Sequence, residues 1–288
     1  MKKAVNILGL LLTVVSVYFL IVKYKELNNR INVDIFSYPL SFLALPLLYA
    51  FVGALLALAW RNIISVLSGK ISVKNCLAIY GISQIGKYVP GNIFHYIGKQ
   101  ILGITYGIPA KALAKSQLSE IILQLFSAVG FVAFIAYNYL FHSLYPGSLL
   151  SLIAVTLVIL MLIGFYDKKL LPAFILYTLF LYALGALFTV VIDTLTEHAL
   201  VASQIPLIIC AFATAWLAGF LVPGAPAGIG IRESALIILL TPYGISENIV
   251  FSAAILTRII TVCGDFVFFL IALVLHSQRK EAEVNGAS

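Results

Sequence analysis

Charge is scarce in this chain. Asp, Glu, Lys and Arg make up 10% of its 288 residues, against 62% hydrophobic ones. A soluble domain is excluded, because a water-facing surface needs far more polar area than this composition supplies. With a mean hydropathy of +1.09, the composition is that of a polytopic membrane protein. Cysteine is equally sparse: Cys76, Cys210 and Cys263 fall singly inside apolar segments. That spacing gives neither a disulfide framework nor a zinc site, so all three read as packing residues. No Ser-His-Asp set, carboxylate pair or metal cluster occurs at helical spacing, which leaves hydrolysis and metal chemistry without parts. The chain is therefore expected to be no enzyme, with no catalytic residue, metal or cofactor. Nor is there an aromatic-basic platform for nucleic acid.

What the chain does have is long apolar runs. Six are long enough to cross the roughly 30 Å hydrocarbon layer; they lie at about 4–22, 40–60, 116–138, 148–166, 171–192 and 249–275. The first follows a basic start but lacks a small-residue cleavage site, so it reads as a span and not as a removed leader. Two further apolar regions, 76–106 and 205–241, are interrupted by Pro and Gly, at Val89-Pro90-Gly91 and at Val222-Pro223-Gly224-Ala225-Pro226. Proline removes a backbone donor and turns the preceding residue away from helix. Each region should read helix, break, helix, with short halves. A broken backbone at membrane depth survives only inside protein or beside a wet cavity.

The net charge of +7 is concentrated in short loops and termini. If each broken region returns to its own side, the chain has both termini in the cytoplasm. Lys2, Lys3, Arg61, Lys70, Lys74, Lys111, Lys115, Lys168, Lys169, Arg279 and Lys280 then face inward, and only Lys23, Lys25 and Arg30 face outward. Such a bias fits the positive-inside rule for a cytoplasmic membrane. Residues 277–288 read as a short polar cytoplasmic tail. The remaining basic residues, Lys87, Lys99, Arg232 and Arg258, lie in the membrane segments.

The interruption recurs. Pro223-Gly224 follows Pro90-Gly91 at an offset of 133 (223 minus 90), and the same offset carries Lys99 onto Arg232 and residue 116 onto 249. One integral membrane domain thus divides into halves of about 1–140 and 141–280. Each half has an odd number of net crossings, so the second enters with opposite orientation. The expected fold class is all-α, with six full spans plus two Pro/Gly-broken re-entrant helical hairpins in two inverted-topology repeats.

Lys87, Asn92, His95 and Lys99 surround the first break. The lysines either snorkel to the interface or face an anionic group, and the helix starting after the break offers unpaired N–H groups to an anion. Asn92 can equally be the cap of that helix, and His95 a satisfied buried imidazole. At the second break the small residues Gly224, Ala225, Ala227, Gly228 and Gly230 precede Arg232 and Glu233. They suit either close helix packing or a backbone-lined substrate site, and the Walker spacing is missing. Arg232 and Glu233 are adjacent on a helix and point apart, so each needs its own partner. Gln117, Glu120 and Gln124 share one helical face; Arg258, Thr261 and Asp265 share another. Glu120 and Asp265 either lock the bundle in ion pairs or gate and couple a cationic cavity.

The segment Ser83-Gln84-Ile85-Gly86-Lys87-Tyr88-Val89-Pro90-Gly91, with Gly228-Ile229-Gly230-Ile231-Arg232-Glu233, resembles the two signature segments of the lysylphosphatidylglycerol synthase transmembrane family. That family includes the flippase domain of the bacterial aminoacyl-phosphatidylglycerol synthase/flippase. The resemblance spans nearly the whole chain and implies a lipid translocase whose two broken elements line a headgroup cavity. It carries Lys87, Tyr88, Pro90 and Gly91 to the first element and Gly228, Gly230, Arg232 and Glu233 to the second. Ala227 departs from the glycine expected there. With no aminoacyltransferase domain in the chain, it implies a stand-alone flippase-like member that does not itself make lysylphosphatidylglycerol.

The expectation is a transporter that moves a phosphate-bearing lipid between leaflets by alternating access: anionic, aminoacylated or polyprenyl-phosphate-linked. Lys87, Lys99, Arg232 and Arg258 would hold the phosphate. The alternative is a non-transporting scaffold that presents a lipid carrier to a separate glycosyltransferase or lipid-modifying enzyme.

Overall fold

In a computed structural model, residues 39–88, 93–141, 147–221, 228 and 230–285 are described. The span expected at 4–22 lies outside them, as do Pro90, Gly91, Asn92 and the stretch 222–227. Every regular element among the described residues is helical. In chain order these are α1 (Pro39–Ser68), α2 (Val73–Gln84), α3 (Phe94–Thr105), α4 (Ala110–Phe141), α5 (Gly147–Asp167), α6 (Leu171–Leu195), α7 (Gln204–Leu221), α8 (Ile231–Leu240) and α9 (Glu247–Asn285). Short 3₁₀ turns cover Ile85–Tyr88, Lys168–Leu170 and Thr241–Tyr243.

Five described segments are long and apolar enough to cross a membrane: Ala44–Ser68, Ala110–Phe141, Leu149–Leu195, Gln204–Leu221 and Glu247–Arg279. The fold is that of an all-α, multi-pass membrane protein. Leu149–Leu195 contains both α5 and α6. Asp167, the last residue of α5, is extended (φ −160°, ψ 104°), and its side chain accepts a hydrogen bond from Lys169 N at 2.9 Å. Pro172 then opens α6, where its missing N–H costs nothing.

Several boundaries differ from the sequence reading. α1 runs on to Ser68 because Arg61 is satisfied in place, its Nε donating to Ile71 O at 2.9 Å. α9 continues through Asn285, so the stretch read as a polar tail from 277 is an extension of the helix, at least that far. In the second broken region, α7 has 18 residues, about 27 Å at 1.5 Å per residue. It is long enough for a span, and the expectation of two short halves is corrected there. The first region does consist of short pieces: α2 and α3 have 12 residues each. Cys76 and Cys210 are buried, as packing residues should be, whereas Cys263 is exposed.

α1 and α6 pack together at the centre, with α9 laid across α1 and α2, and α4 across α5 and α7. Without water to drive association inside a bilayer, helices rely on close approach at small residues. Gly264 of α9 meets α1, where an added Cβ would stand 2.6 Å from Pro46 O. Gly185 of α6 meets the Ile209 backbone of α7 at 2.8 Å by the same measure, and Gly81 of α2 meets Ala272 of α9 at 2.6 Å. The Gly264 and Gly81 contacts fix α9 against α1 and α2, the frame on which the charged residues sit.

Candidate functional site

Five of the membrane charges gather around α9. Arg258 and Asp265 are seven residues apart on it, two helical turns, so both side chains leave the same face. Asp265 reaches the 3₁₀ turn before the first break. Lys87 Nζ lies 2.6 Å from its Oδ2, and the Tyr88 hydroxyl donates to the same carboxylate. Lys87 also lies 6.0 Å from the centre of the Tyr49 ring on α1. Arg258 reaches the second broken region. Its Nε donates to Glu233 and its Nη2 donates to Gly228 O at 3.0 Å.

Glu233 has two duties. Its Oε2 accepts from Gly230 N at 2.7 Å, closing the start of α8, while Oε1 receives Arg258. Gly230 caps α8 at φ +85°, a left-handed conformation that suits glycine. Arg232, the next residue but one, has no carboxylate partner among the described residues, and its Nε is buried without a hydrogen bond. Its guanidinium lies 5.8 Å from the Trp216 ring of α7, a cation–π arrangement. Trp216 is in turn stacked on Phe220 with rings 5.2 Å apart. Gly219 and Gly228 leave room for the arginine stem, which any Cβ at Gly219 would meet at 2.7 Å. Arg232 also lies within Coulombic range of Arg258, Tyr49, Tyr88 and Glu233, the last already bonded to Arg258 and the Gly230 N–H. Residues on either side of the two breaks thus form one cluster.

Lys99 stands in a second cluster. Its ammonium is bonded to Glu120 of α4, and both residues are 1% exposed. The Tyr80 hydroxyl donates to the other Glu120 oxygen at 2.8 Å, and the Tyr80 and Tyr96 rings lie 4.7 and 4.9 Å from Nζ. The charge of Lys99 is neutralised inside the protein. The stripe on α4 that includes Glu120 meets α3 at Gln117 as well, whose Nε2 donates to Tyr96 O at 3.0 Å and to Gln100 Oε1 at 3.2 Å. Gln124, one turn on, is buried.

The His95 ring lies against Tyr96 with ring centres 3.9 Å apart and planes tilted by 41°, and its Nδ1 is buried without a partner among the described residues. α3 is preceded by Ile93 at the cap position, which offers no side-chain hydrogen bond. The capping role considered for Asn92 therefore falls one residue later, on backbone alone. Asn92 itself, with Pro90 and Gly91, lies outside the described residues.

Sequence reasoning missed Tyr49, Tyr80, Tyr96 and Trp216. Trp216, one of two tryptophans in the chain, had a signal in its rarity. Tyr96 had one in its spacing, three residues before Lys99 and so on the same face. Tyr49 belongs to an apolar helix far from the breaks, and Tyr80 to the apolar half before the first break with no polar residue beside it; neither offered one.

Among the described residues, no three His, Cys, Asp or Glu side chains gather as a metal site would require. The architecture and site define the class: a helical multi-pass membrane protein with cations and counter-ions held at two interrupted elements. No family model, curated protein or solved structure matches the chain.

Proposed function

We propose that the chain is a flippase-like transporter of the cytoplasmic membrane that moves a phosphate-bearing lipid between leaflets. The observation that carries the reading is the convergence of both interrupted elements on α9, with the Arg232 guanidinium left without a counter-ion among the described residues. A cation at membrane depth without an acid is costly and marks a place for an anion; Arg232 is half-buried, with its Nε enclosed. Arginine presents a fork of donors that matches a phosphate group. The resemblance of the two segments flanking the breaks to the lysylphosphatidylglycerol synthase transmembrane family points the same way.

Alternating access needs two bodies that rock against each other, and an inverted repeat supplies them. The element order supports this part of the proposal. The sequence α1, α2, α3, α4 recurs as α6, α7, α8, α9. α9 packs on α2 as α4 packs on α7, the reciprocal contacts expected of two interlocked halves. At the offset of 133 (219 minus 86), the tight approach of Gly86 to the His95 backbone recurs as that of Gly219 to Gly228. In this reading six spans and two interrupted hairpins place both termini in the cytoplasm. Acyl or prenyl chains remain in the bilayer while the headgroup crosses at Arg232, with Lys87 and Arg258 released from their acids together, because Asp265 and Arg258 ride on the same helix.

The test is leaflet exchange of fluorescent phosphatidylglycerol and a polyprenyl-phosphate lipid in proteoliposomes, with a Lys87→Ala/Arg232→Ala double variant alongside wild type. Exchange in wild type and none in a folded double variant is the expected result; equal exchange in both overturns the proposal. A scaffold reading draws on a different observation, the neutralisation of Lys87, Lys99 and Arg258 by acids that tie the elements together. It predicts lipid binding without exchange, and a stable complex with a glycosyltransferase or lipid-modifying enzyme.

A further inference from the structure

The charges around the two breaks do not cancel. Lys87 is balanced by Asp265 and Arg258 by Glu233, which leaves the Arg232 guanidinium as the one excess charge among the described residues of that cluster, with His95 counted neutral. Residues 89–92, 222–227 and 229, which complete the breaks in the sequence, contain no ionisable side chain. Lys99 and Glu120 cancel separately.

The first half shows how the same position is neutralised when no ligand is wanted. Lys99 has Glu120 and Tyr80 as partners. At the offset of 133 (232 minus 99) Lys99 becomes Arg232, but Glu120 becomes Ala253 and Tyr80 becomes Ala213. Both alanines are fully buried, so the acid and hydroxyl of the first half are replaced in the second by methyl groups. Trp216 covers the guanidinium on one side, but an aromatic ring cannot cancel a full charge.

We infer that the Arg232 site selects a singly charged phosphodiester headgroup over a doubly charged phosphate monoester or diphosphate. The inference rests on the reading of this cluster as an anionic-lipid site. One negative charge neutralises the cluster. A second would remain uncompensated in a low-dielectric interior, or would have to pull Lys87 or Arg258 from its carboxylate and expose that carboxylate instead. The excluded class includes diphosphate-linked lipid carriers. The accepted class includes phosphatidylglycerol and sugars joined to a polyprenyl chain through a single phosphodiester.

Trp216 supplies the readout. In a Trp60→Phe background it is the sole tryptophan, and its emission reports what reaches Arg232. The protein is placed in phosphatidylcholine nanodiscs with increasing phosphatidylglycerol, or with phosphatidic acid at a pH high enough to give it both charges. Glycerophosphoglycerol and inorganic phosphate are titrated as soluble counterparts. Phosphatidylglycerol is expected to shift the emission at a lipid fraction about tenfold or more below phosphatidic acid, the scale of one uncompensated charge near an interior site. A response to glycerophosphoglycerol equal to that of the lipid supports the same charge class and makes a soluble phosphodiester the source. Arg232→Gln should abolish the response and Arg232→Lys should retain the preference with weaker binding. Asp265→Asn, which raises the cluster by one charge, should move the preference toward phosphatidic acid; if that variant does not fold, the wild-type comparison decides alone. Phosphatidic acid binding as tightly as phosphatidylglycerol overturns the inference while leaving an anionic-lipid site standing. No response to any anionic lipid overturns both.

Discussion

The two interrupted regions solve the same electrostatic problem in different ways. In the first, each lysine is met by an acid from another helix, Lys87 by Asp265 on α9 and Lys99 by Glu120 on α4. In the second, the local acid Glu233 caps its own helix and takes Arg258, and the neighbouring Arg232 is left to an aromatic ring. The contrast separates charges that hold the bundle together from a charge available to something else. Buried ion pairs are poor evidence of stability in themselves, but removing one partner is severe.

Stability measurements can break or sharpen that contrast. The largest loss is expected from Glu120→Ala, which strands a fully enclosed ammonium: about 3–5 kcal/mol, read as a fall in thermal unfolding midpoint of the detergent-solubilised protein. A Lys99→Met/Glu120→Leu double variant should recover most of it. Recovery that fails would mean the pair is wired into α3 by more than charge.

A smaller effect is expected at the helix contacts on the same side. Gly81→Val forces a side chain into Ala272 and the Phe268 backbone, an overpacking worth about 1–3 kcal/mol. An unfolding midpoint that does not move would show that α2 and α9 can separate at no cost, and would weaken the account of α9 as a fixed frame.

Below these comes Tyr106→Phe. The Tyr106 hydroxyl lies 2.7 Å from His276 Nδ1, at the junction of α3 with the far part of α9. One neutral hydrogen bond is worth about 1 kcal/mol, and hydrogen exchange at the end of α3 should rise to match. The smallest stability effect belongs to Arg232→Gln. No carboxylate loses its partner, so the loss should stay near the cation–π contribution of about 0.5–1 kcal/mol, while lipid exchange disappears. An unfolding loss as large as that of Glu120→Ala would contradict the division between structural and available charge.

Local pattern made much of this legible. The apolar runs are there as helices wherever they are described, and Pro and Gly mark the two interruptions. The shared faces of Gln117, Glu120 and Gln124, and of Arg258, Thr261 and Asp265, follow from helical spacing. The pairings do not follow from it. Lys87 and Asp265 are joined only because α9 crosses α2, a contact made possible by Gly81 against Ala272. α7, read as a short half because the break at 222–226 divides the apolar run, is 18 residues long and long enough for a span. Nor does a linear sequence say which of two adjacent charges, Arg232 or Glu233, will find a partner.

α9 has 39 residues, about 58 Å at 1.5 Å per residue, roughly twice the hydrocarbon thickness. Because Arg258 and Asp265 ride on this one rod, the two interruptions share an axle. A slide of α9 by one turn, about 5.4 Å, would break Lys87 from Asp265 and Arg258 from Glu233 in the same stroke. Neither interruption can then change its grip alone, and a force applied to the far end of the rod is felt at both.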